Sequence, residues 1–140
     1  MNNSSMKNQQ LVSDMAECVN LVSAQIIEHN NSMAAKMGLT PVEFKCLLLF
    51  KEKPTLSIKE LGKGLRLSSG RITHLISALE NKNYVTKRTD VIDKRNVIVH
   101  LTENSKSHLR NYIESQRNLF RKMLEQHEAH EQNQIIATLK

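Results

Sequence analysis

The chain has 140 residues and a mass of 16.0 kDa, which is about the length of one domain. Its 39% hydrophobic and 24% charged residues suit a globular protein and exclude a disordered or fibrous chain. The net charge of +6 is concentrated in residues 51–110, which hold 13 Lys and Arg against 6 Asp and Glu. A basic middle favours a polyanionic partner.

The termini and the cysteines indicate where the protein works. The first ten residues are polar and carry no leader pattern, and no segment reaches the roughly 18 apolar residues that a membrane-spanning helix needs. Cys18 and Cys46 are too few and too far apart for a disulfide framework or a zinc knuckle. We therefore expect a cytoplasmic protein with reduced thiols and no membrane partner.

Two helices are predicted at the start of the chain. Apolar residues recur at steps of three, four and seven, which predicts an amphipathic helix over residues 9–37 that stops at Gly38. In the segment LTPVEFKCLLLF, Thr40 is the expected N-cap of a second helix, with Pro41 at its first position and Glu43 completing a capping box.

Two shorter helices follow. Ser57 and Glu60 form a capping-box pattern for the first helix, and the two glycines of GKGLRLS are expected to interrupt it. The second helix is expected to begin near Ser68 or Ser69 and to end near Asn83, in the left-handed conformation that usually requires Gly. Its apolar positions at i, i+3, i+4 and i+7 are Ile72, Leu75, Ile76 and Leu79.

Short helices joined by a tight turn predict a helix-turn-helix, whose second helix would enter a groove of duplex nucleic acid. An ordinary pair of surface helices is the alternative. Small side chains at the helix start permit close approach to phosphates, and Arg71 and His74 carry donors for guanine acceptors. The side chains expected to face DNA are Ser68, Ser69, Gly70, Arg71, Thr73 and His74.

A charged hairpin follows the second short helix. The segments YVTKR and NVIVHL are rich in β-branched residues and are expected to pair as antiparallel strands. The loop between them, TDVIDKR, is expected to form a wing. Arg95 would enter the minor groove, because a guanidinium is weakly hydrated, and Lys94 would contact DNA and help to shape the wing. Asp93 would accept a hydrogen bond from Arg95 or from the loop backbone and hold the tip in shape.

Two segments, SIKELGKGLRLSSGRITHLISALENKNYVTKR and DVIDKRNVIVHLT, resemble the MarR family of transcriptional regulators. The likeness lies in the helix-turn-helix, the Leu-Glu end of the recognition helix, the Asp-x-Arg wing tip and the Leu-Thr start of the next helix. It implies a mainly α fold with a small β-hairpin wing. The winged helix-turn-helix, residues 40–101, would then lie between dimerisation helices at residues 9–37 and 102–140 of a single chain.

The resemblance also implies a function. Members of this family are dimeric, sequence-specific DNA-binding regulators, most often repressors, that recognise inverted repeats. Many bind small aromatic or anionic effectors, and some respond to redox signals or zinc. Apolar stripes on the terminal helices exceed what one reading head covers, which independently favours a second copy of the chain as the partner.

Several sharper alternatives remain open. Cys18 is either a redox-active thiol or, as we expect, a buried packing residue on the apolar stripe. His127 and His130 are either metal ligands or, as we expect, solvated side chains between two helices. We expect no cofactor and no enzyme activity, since nucleotide-binding and hydrolase motifs are missing from the sequence. A winged helix that contacts only proteins and lacks DNA affinity is the competing function.

Overall fold

The structure, a computed structural model, describes the backbone of residues 2–140 and the side chains from Asn3 onward. The fold is mainly helical with a small antiparallel sheet, as predicted. A 3-10 turn, Leu49–Lys51, follows the second helix. The elements in chain order are α1 Asn2–Lys36, α2 Pro41–Leu48, β1 Thr55–Ser57, α3 Ile58–Leu65, α4 Ser69–Asn81, β2 Val85–Thr89, β3 Val97–Leu101, α5 Glu103–Leu124 and α6 Ala129–Leu139.

The chain divides into two compact units, residues up to Lys45 and residues from Cys46 onward. In the first unit, α1 begins well before the predicted residue 9. Its polar first turns carry no apolar periodicity, so the pattern that predicted the helix could not locate its start. Although α1 has 35 residues, no helix among residues 2–140 combines the length and apolarity needed to cross a membrane.

The predicted ends of these first helices are confirmed. Gly38 has a φ of 66°, and the N–H groups of Gly38 and Leu39 donate to the carbonyls of Ala35 and Ala34, at 3.1 and 2.9 Å. This is a Schellman motif, which satisfies carbonyls at the end of α1. Thr40 then caps α2, because its Oγ1 accepts from the Glu43 N–H at 3.3 Å and its own N–H donates to the Glu43 carboxylate at 2.8 Å.

The helix-turn-helix is present, but its glycines act differently from the prediction. The helix α3 continues through Gly62 and Gly64, and the turn is made at Arg66, which has a φ of 55°. A Cβ at Gly62 would lie 3.2 Å from the carbonyl oxygen of Leu67, and one at Gly64 would lie 2.9 Å from Leu49 Cδ1. The prediction that these glycines interrupt the helix was wrong, because α3 continues through both of them. Their lack of a side chain instead permits close packing around α3.

The sheet contains one strand more than the predicted hairpin. Its order is β1-β3-β2 and both pairs are antiparallel. The predicted pairing is confirmed, with Val85 opposite Leu101 and Thr89 opposite Val97. The additional strand β1 has three residues, too few for alternation to be visible in the sequence. It pairs with β3, so β3 is hydrogen-bonded on both sides, whereas β2 is an edge strand.

The core of the second unit lies between the sheet and the two short helices. All four predicted apolar positions of α4 are buried, as are Leu61, Val85 and Val99. The start of α5 is fastened to the segment that follows α4, since Thr102 Oγ1 donates to the Asn83 carbonyl at 2.9 Å and Ser105 Oγ donates to that of Tyr84. The helix α4, which is the recognition helix of the helix-turn-helix, is therefore held in place by its buried face and by the contacts that follow its C-terminal end.

Candidate nucleic-acid interface

The N-terminal turn of α4 carries the largest group of predicted DNA-facing residues. Ser68 is its N-cap, and Ser68 Oγ accepts from the Arg71 N–H at 3.5 Å. The hydroxyl of Thr73 donates to the Ser69 carbonyl at 2.7 Å, which leaves its oxygen lone pairs as acceptors. Since the apolar positions point into the core, all six predicted residues are exposed: Ser68, Ser69, Gly70, Arg71, Thr73 and His74.

The chemistry of this turn suits an anionic ligand. The first N–H groups of a helix lack intrahelical acceptors and carry a partial positive charge. A Cβ built on Gly70 would meet nothing within 4 Å, so the backbone is open to close approach at this position. Arg71 and His74 add exposed donors one turn apart on the same helix. This end of α4 can bind phosphate and present donors to base edges.

The wing tip, residues 90–96, is braced by its own backbone. The Asp90 N–H donates to the Asn96 carbonyl and the Asn96 N–H to the Asp93 carbonyl, both at 2.9 Å. The two carboxylates add further bonds, since Asp90 accepts from the Ile92 N–H and Asp93 from the Arg95 N–H, each at 3.0 Å. The hydrogen bond expected of Asp93 is therefore present, and it leaves the Arg95 side chain exposed with that of Lys94.

An open groove of about 540 Å³ lies between the recognition helix α4 and the wing. Its walls come from α3, the start of α4 and the root of the wing. It brings together Ser69, Thr73 and Arg95, which lie far apart in the sequence. Sequence reasoning missed three cations of the same groove, which we call the basic groove. Its polar and charged lining includes Lys59, Lys63, Ser69, Thr73, Lys87 and Arg95.

The missed cations left only a partial signal in the sequence. Lys59 and Lys63 are four residues apart on α3 and both are exposed, so they lie on one face of that helix. The spacing of Lys59 and Lys63 could have been recognised in the sequence. Lys87 lies on β2, and only the pairing and packing of the sheet bring it close to α4. Because Lys87 Nζ lies 3.1 Å from Glu80 Oε2 and 3.2 Å from Ser77 Oγ, its charge is already paired.

Glu80 connects the recognition helix to the wing. Besides the ion pair, its Oε1 accepts from the Lys87 backbone N–H at 3.1 Å. These hydrogen bonds from Lys87 lower the pKa of Glu80 from its ordinary value of 4.5. The contact tethers the C-terminal part of α4 to β2, and therefore helps to set the position of the wing relative to the helix.

The Glu80 contact predicts a specific pH dependence of stability. Because the pKa of Glu80 is lower in the folded state, its ionised carboxylate stabilises the fold. This stabilisation is complete at pH values above the ordinary pKa of 4.5, and it is lost as the pH falls through the folded-state pKa. We expect Glu80→Gln to be less stable than the parent at neutral pH, and the difference to shrink in acid. Urea unfolding at several pH values measures both. Glu114→Gln is the control, because Glu114 and Arg117 form an exposed pair at 3.8 Å. A difference that stays constant into acid would contradict the prediction.

The two cysteines have different environments. Cys46 is fully buried, and burial raises the pKa of its thiol to about 12. Cys18 is exposed in this chain, as are all residues from 3 to 25 of α1. The prediction that Cys18 is a buried packing residue was therefore wrong for the single chain, because its apolar stripe is not covered by the chain itself.

The two histidines considered as metal ligands lie near the start of α6: His127 precedes the helix and His130 is in its first turn. His127 Nδ1 is 3.5 Å from Glu131 Oε2, and both side chains are about half exposed. Glu131 also accepts from the Glu128 N–H at 3.0 Å as part of a capping box. His130 is exposed in the first turn. Among residues 2–140, no group of three or more His, Cys, Asp or Glu side chains is arranged to hold a metal ion.

Sequence comparison connects this geometry to known proteins. The model of the MarR family matches residues 39–97, which contain the helix-turn-helix and most of the wing. The HTH-type transcriptional regulator SarZ of Staphylococcus epidermidis is 36% identical over 84 residues, which are 60% of this chain and 57% of SarZ. The match thus spans less than two thirds of the relative's own length.

Solved structures share the fold over nearly the whole chain. A MarR family protein from Bacillus stearothermophilus has a TM-score of 0.79 at 19% identity, covering 94% of this chain and 91% of that one. A mutant of S. aureus MepR bound to an oligodeoxyribonucleotide has a TM-score of 0.67 at 16% identity, with coverages of 89% and 92%. The winged-helix region, residues 39–97, therefore matches the MarR family, and the fold of nearly the whole chain resembles that of a solved MarR family protein.

Proposed function

We propose that this protein is a sequence-specific DNA-binding transcriptional regulator. The basic groove carries the proposal, because it unites the start of the recognition helix with Arg95 of the wing. The names of the relatives and the DNA-bound MepR neighbour support the same function. We further propose a cytoplasmic repressor, and we assign no catalytic role or cofactor to it.

The proposed contacts divide into positioning and reading. Hydroxyl and backbone groups at the start of α4 would hold phosphates, while Arg71 and His74 would read bases in the major groove. Arg95 would enter the minor groove, with Lys94 on the adjacent backbone and Asp93 supporting the tip. Lys59 and Lys63 extend the phosphate contacts along α3. The resulting interface consists of Lys59, Lys63, Ser68, Ser69, Gly70, Arg71, Thr73, His74, Lys94 and Arg95.

We propose that the active form is a homodimer built from residues 9–37 and 102–140. Leu11 and Met15 on α1 are 65% and 57% exposed, and Ile136 and Leu139 on α6 are 42% and 74% exposed. Such exposed apolar residues on the terminal helices would be covered by a second copy. Two-fold symmetry would place two recognition helices about one duplex turn apart, roughly 34 Å, and would require an inverted-repeat operator.

Control of DNA binding by a signal is part of the proposal. A small aromatic or anionic effector, or oxidation of an exposed thiol such as Cys18, would act by favouring one spacing of the two heads. Either signal requires that the two head arrangements differ in affinity for DNA. Metal binding at His127 and His130 is not part of the proposal.

The competing function is a winged helix that contacts only proteins. The basic groove favours DNA, because its cations outnumber its carboxylates and phosphate contacts release counterions. The two functions differ in their response to salt. Binding to DNA should weaken steeply as salt rises, whereas an association with a protein through apolar contacts should change little.

The decisive experiment is selection of bound sites from random duplexes at near-physiological salt, followed by titration of the enriched duplex at several salt concentrations. We expect a palindromic motif and a linear loss of log affinity with log salt. Arg95→Ala should lower affinity, whereas Lys45→Ala, which removes one positive charge from an exposed position of α2 outside the basic groove and the proposed dimer helices, should change it little. Failure to enrich any sequence over competitor would reject the proposed function.

A further inference from the structure

The wing tip displays two apolar side chains that the fold does not use. Val91 and Ile92 are 92% and 96% exposed, more than any other large hydrophobic residue among those described. They do not belong to a helical stripe, so the proposed dimer helices do not account for them. Contact with another molecule would remove from water the apolar area that each now exposes.

The display of this pair is ordered. Four hydrogen bonds brace residues 90–96, and one of them, from the Ile92 N–H to the Asp90 carboxylate, spans Val91. Asp90 and Asp93 both use carboxylate oxygens to accept from backbone N–H groups of the tip. A braced loop loses little conformational entropy when it binds, so its apolar side chains can contribute to affinity.

The surroundings of the pair identify its partner. Lys94 and Arg95 follow closely in the chain, and Arg95 also lines the basic groove beside Ser69 and Thr73 of the recognition helix. The pair is therefore continuous with a surface that is complementary to a polyanion. The walls of the minor groove are the apolar faces of deoxyriboses, and proteins insert aliphatic side chains there.

We propose that Val91 and Ile92 pack against deoxyriboses in the minor groove next to Arg95. The pair supplies a part of the DNA affinity that does not depend on counterion release, whereas Arg95 supplies a part that does. This inference rests on the proposed function and assigns it two further contact residues. It adds an apolar contact to a tip whose predicted role was electrostatic.

The test compares the parent with Val91→Ser/Ile92→Ser on the duplex enriched from random sequence. The expected result is a roughly tenfold loss of affinity with an unchanged salt slope. Arg95→Ala should instead reduce the slope by about one for each wing bound. Val42→Thr, which makes an exposed apolar side chain of α2 polar outside the proposed interface, is the control and should retain affinity. Hydroxyl-radical footprinting should show weaker protection of the outer minor-groove sugars for the serine variant alone.

The outcomes separate this inference from the proposed function. If the parent binds the duplex and the serine variant binds equally well, the apolar contact is rejected while the function stands, and a protein partner for the pair becomes the better explanation. A reduced salt slope in the serine variant would also reject it, since the loss would then be electrostatic. If the parent binds no duplex, both proposals fail. Circular dichroism and thermal unfolding of the variants confirm that the fold is retained.

Discussion

Replacing Arg71 by Ala is expected to weaken operator binding by about 1–3 kcal/mol for each head, which is roughly 5- to 150-fold in Kd. Arg71 is exposed in the first turn of α4, where its backbone N–H is held by the Ser68 cap. A guanidinium at this position can donate two hydrogen bonds to one guanine. Its loss should therefore also relax discrimination at one base pair in each half-site.

Competitive titration against duplexes mutated at single positions measures both effects. Lys45→Ala, which removes one positive charge from an exposed position of α2 outside the proposed dimer helices, is the control for general electrostatics. It should change affinity little and leave the sequence preference intact. If Arg71→Ala lowered affinity equally for every duplex, Arg71 would contact phosphate rather than a base, and its assignment as a reading residue would be wrong.

The second large effect is expected from Ile76→Ala, which should destabilise the protein by about 2–5 kcal/mol. Ile76 is fully buried on the inner face of α4, so removing three of its side-chain carbons leaves a cavity beneath the recognition helix. That loss is a large share of the roughly 5–15 kcal/mol that typically stabilises a folded domain. DNA binding should weaken as well, because the same helix carries the residues proposed to read bases.

Urea unfolding of Ile76→Ala and Ile92→Ala measures the effect of burial, because both variants replace the same residue type and differ in how exposed it is. Ile92 is 96% exposed at the wing tip, so its replacement should change the free energy of unfolding by no more than about 0.5 kcal/mol. Equal effects of the two substitutions would show that burial of Ile76 beneath α4 does not stabilise the domain.

Local chemistry made much of this fold predictable. Caps at Thr40, Ser57 and Ser68 and the left-handed Asn83 depend on residues within a few positions of one another, and the structure contains all of them. The apolar face of α4 followed from helical periodicity in the same way. The six exposed residues at the start of that helix were predicted together, since burying one face of a helix exposes the other.

Contacts between distant segments decided what the pattern left open. The strand β1 forms because it can pair with β3, which lies about 40 residues later in the chain. The three residues of β1 alone carry no signal of that pairing. Gly62 is recognised as a packing residue only when the carbonyl of Leu67 is seen beside it.

The sequence by itself determined the order of the main helices and of the hairpin, their caps and the family resemblance, because these depend on near neighbours along the chain. Only the tertiary structure brought Lys59 and Lys63 into one groove with Arg95, fastened Lys87 to Glu80 and left Cys18 exposed in the single chain. Such features arise when packing of the core brings remote side chains together, and a linear pattern carries no record of that proximity.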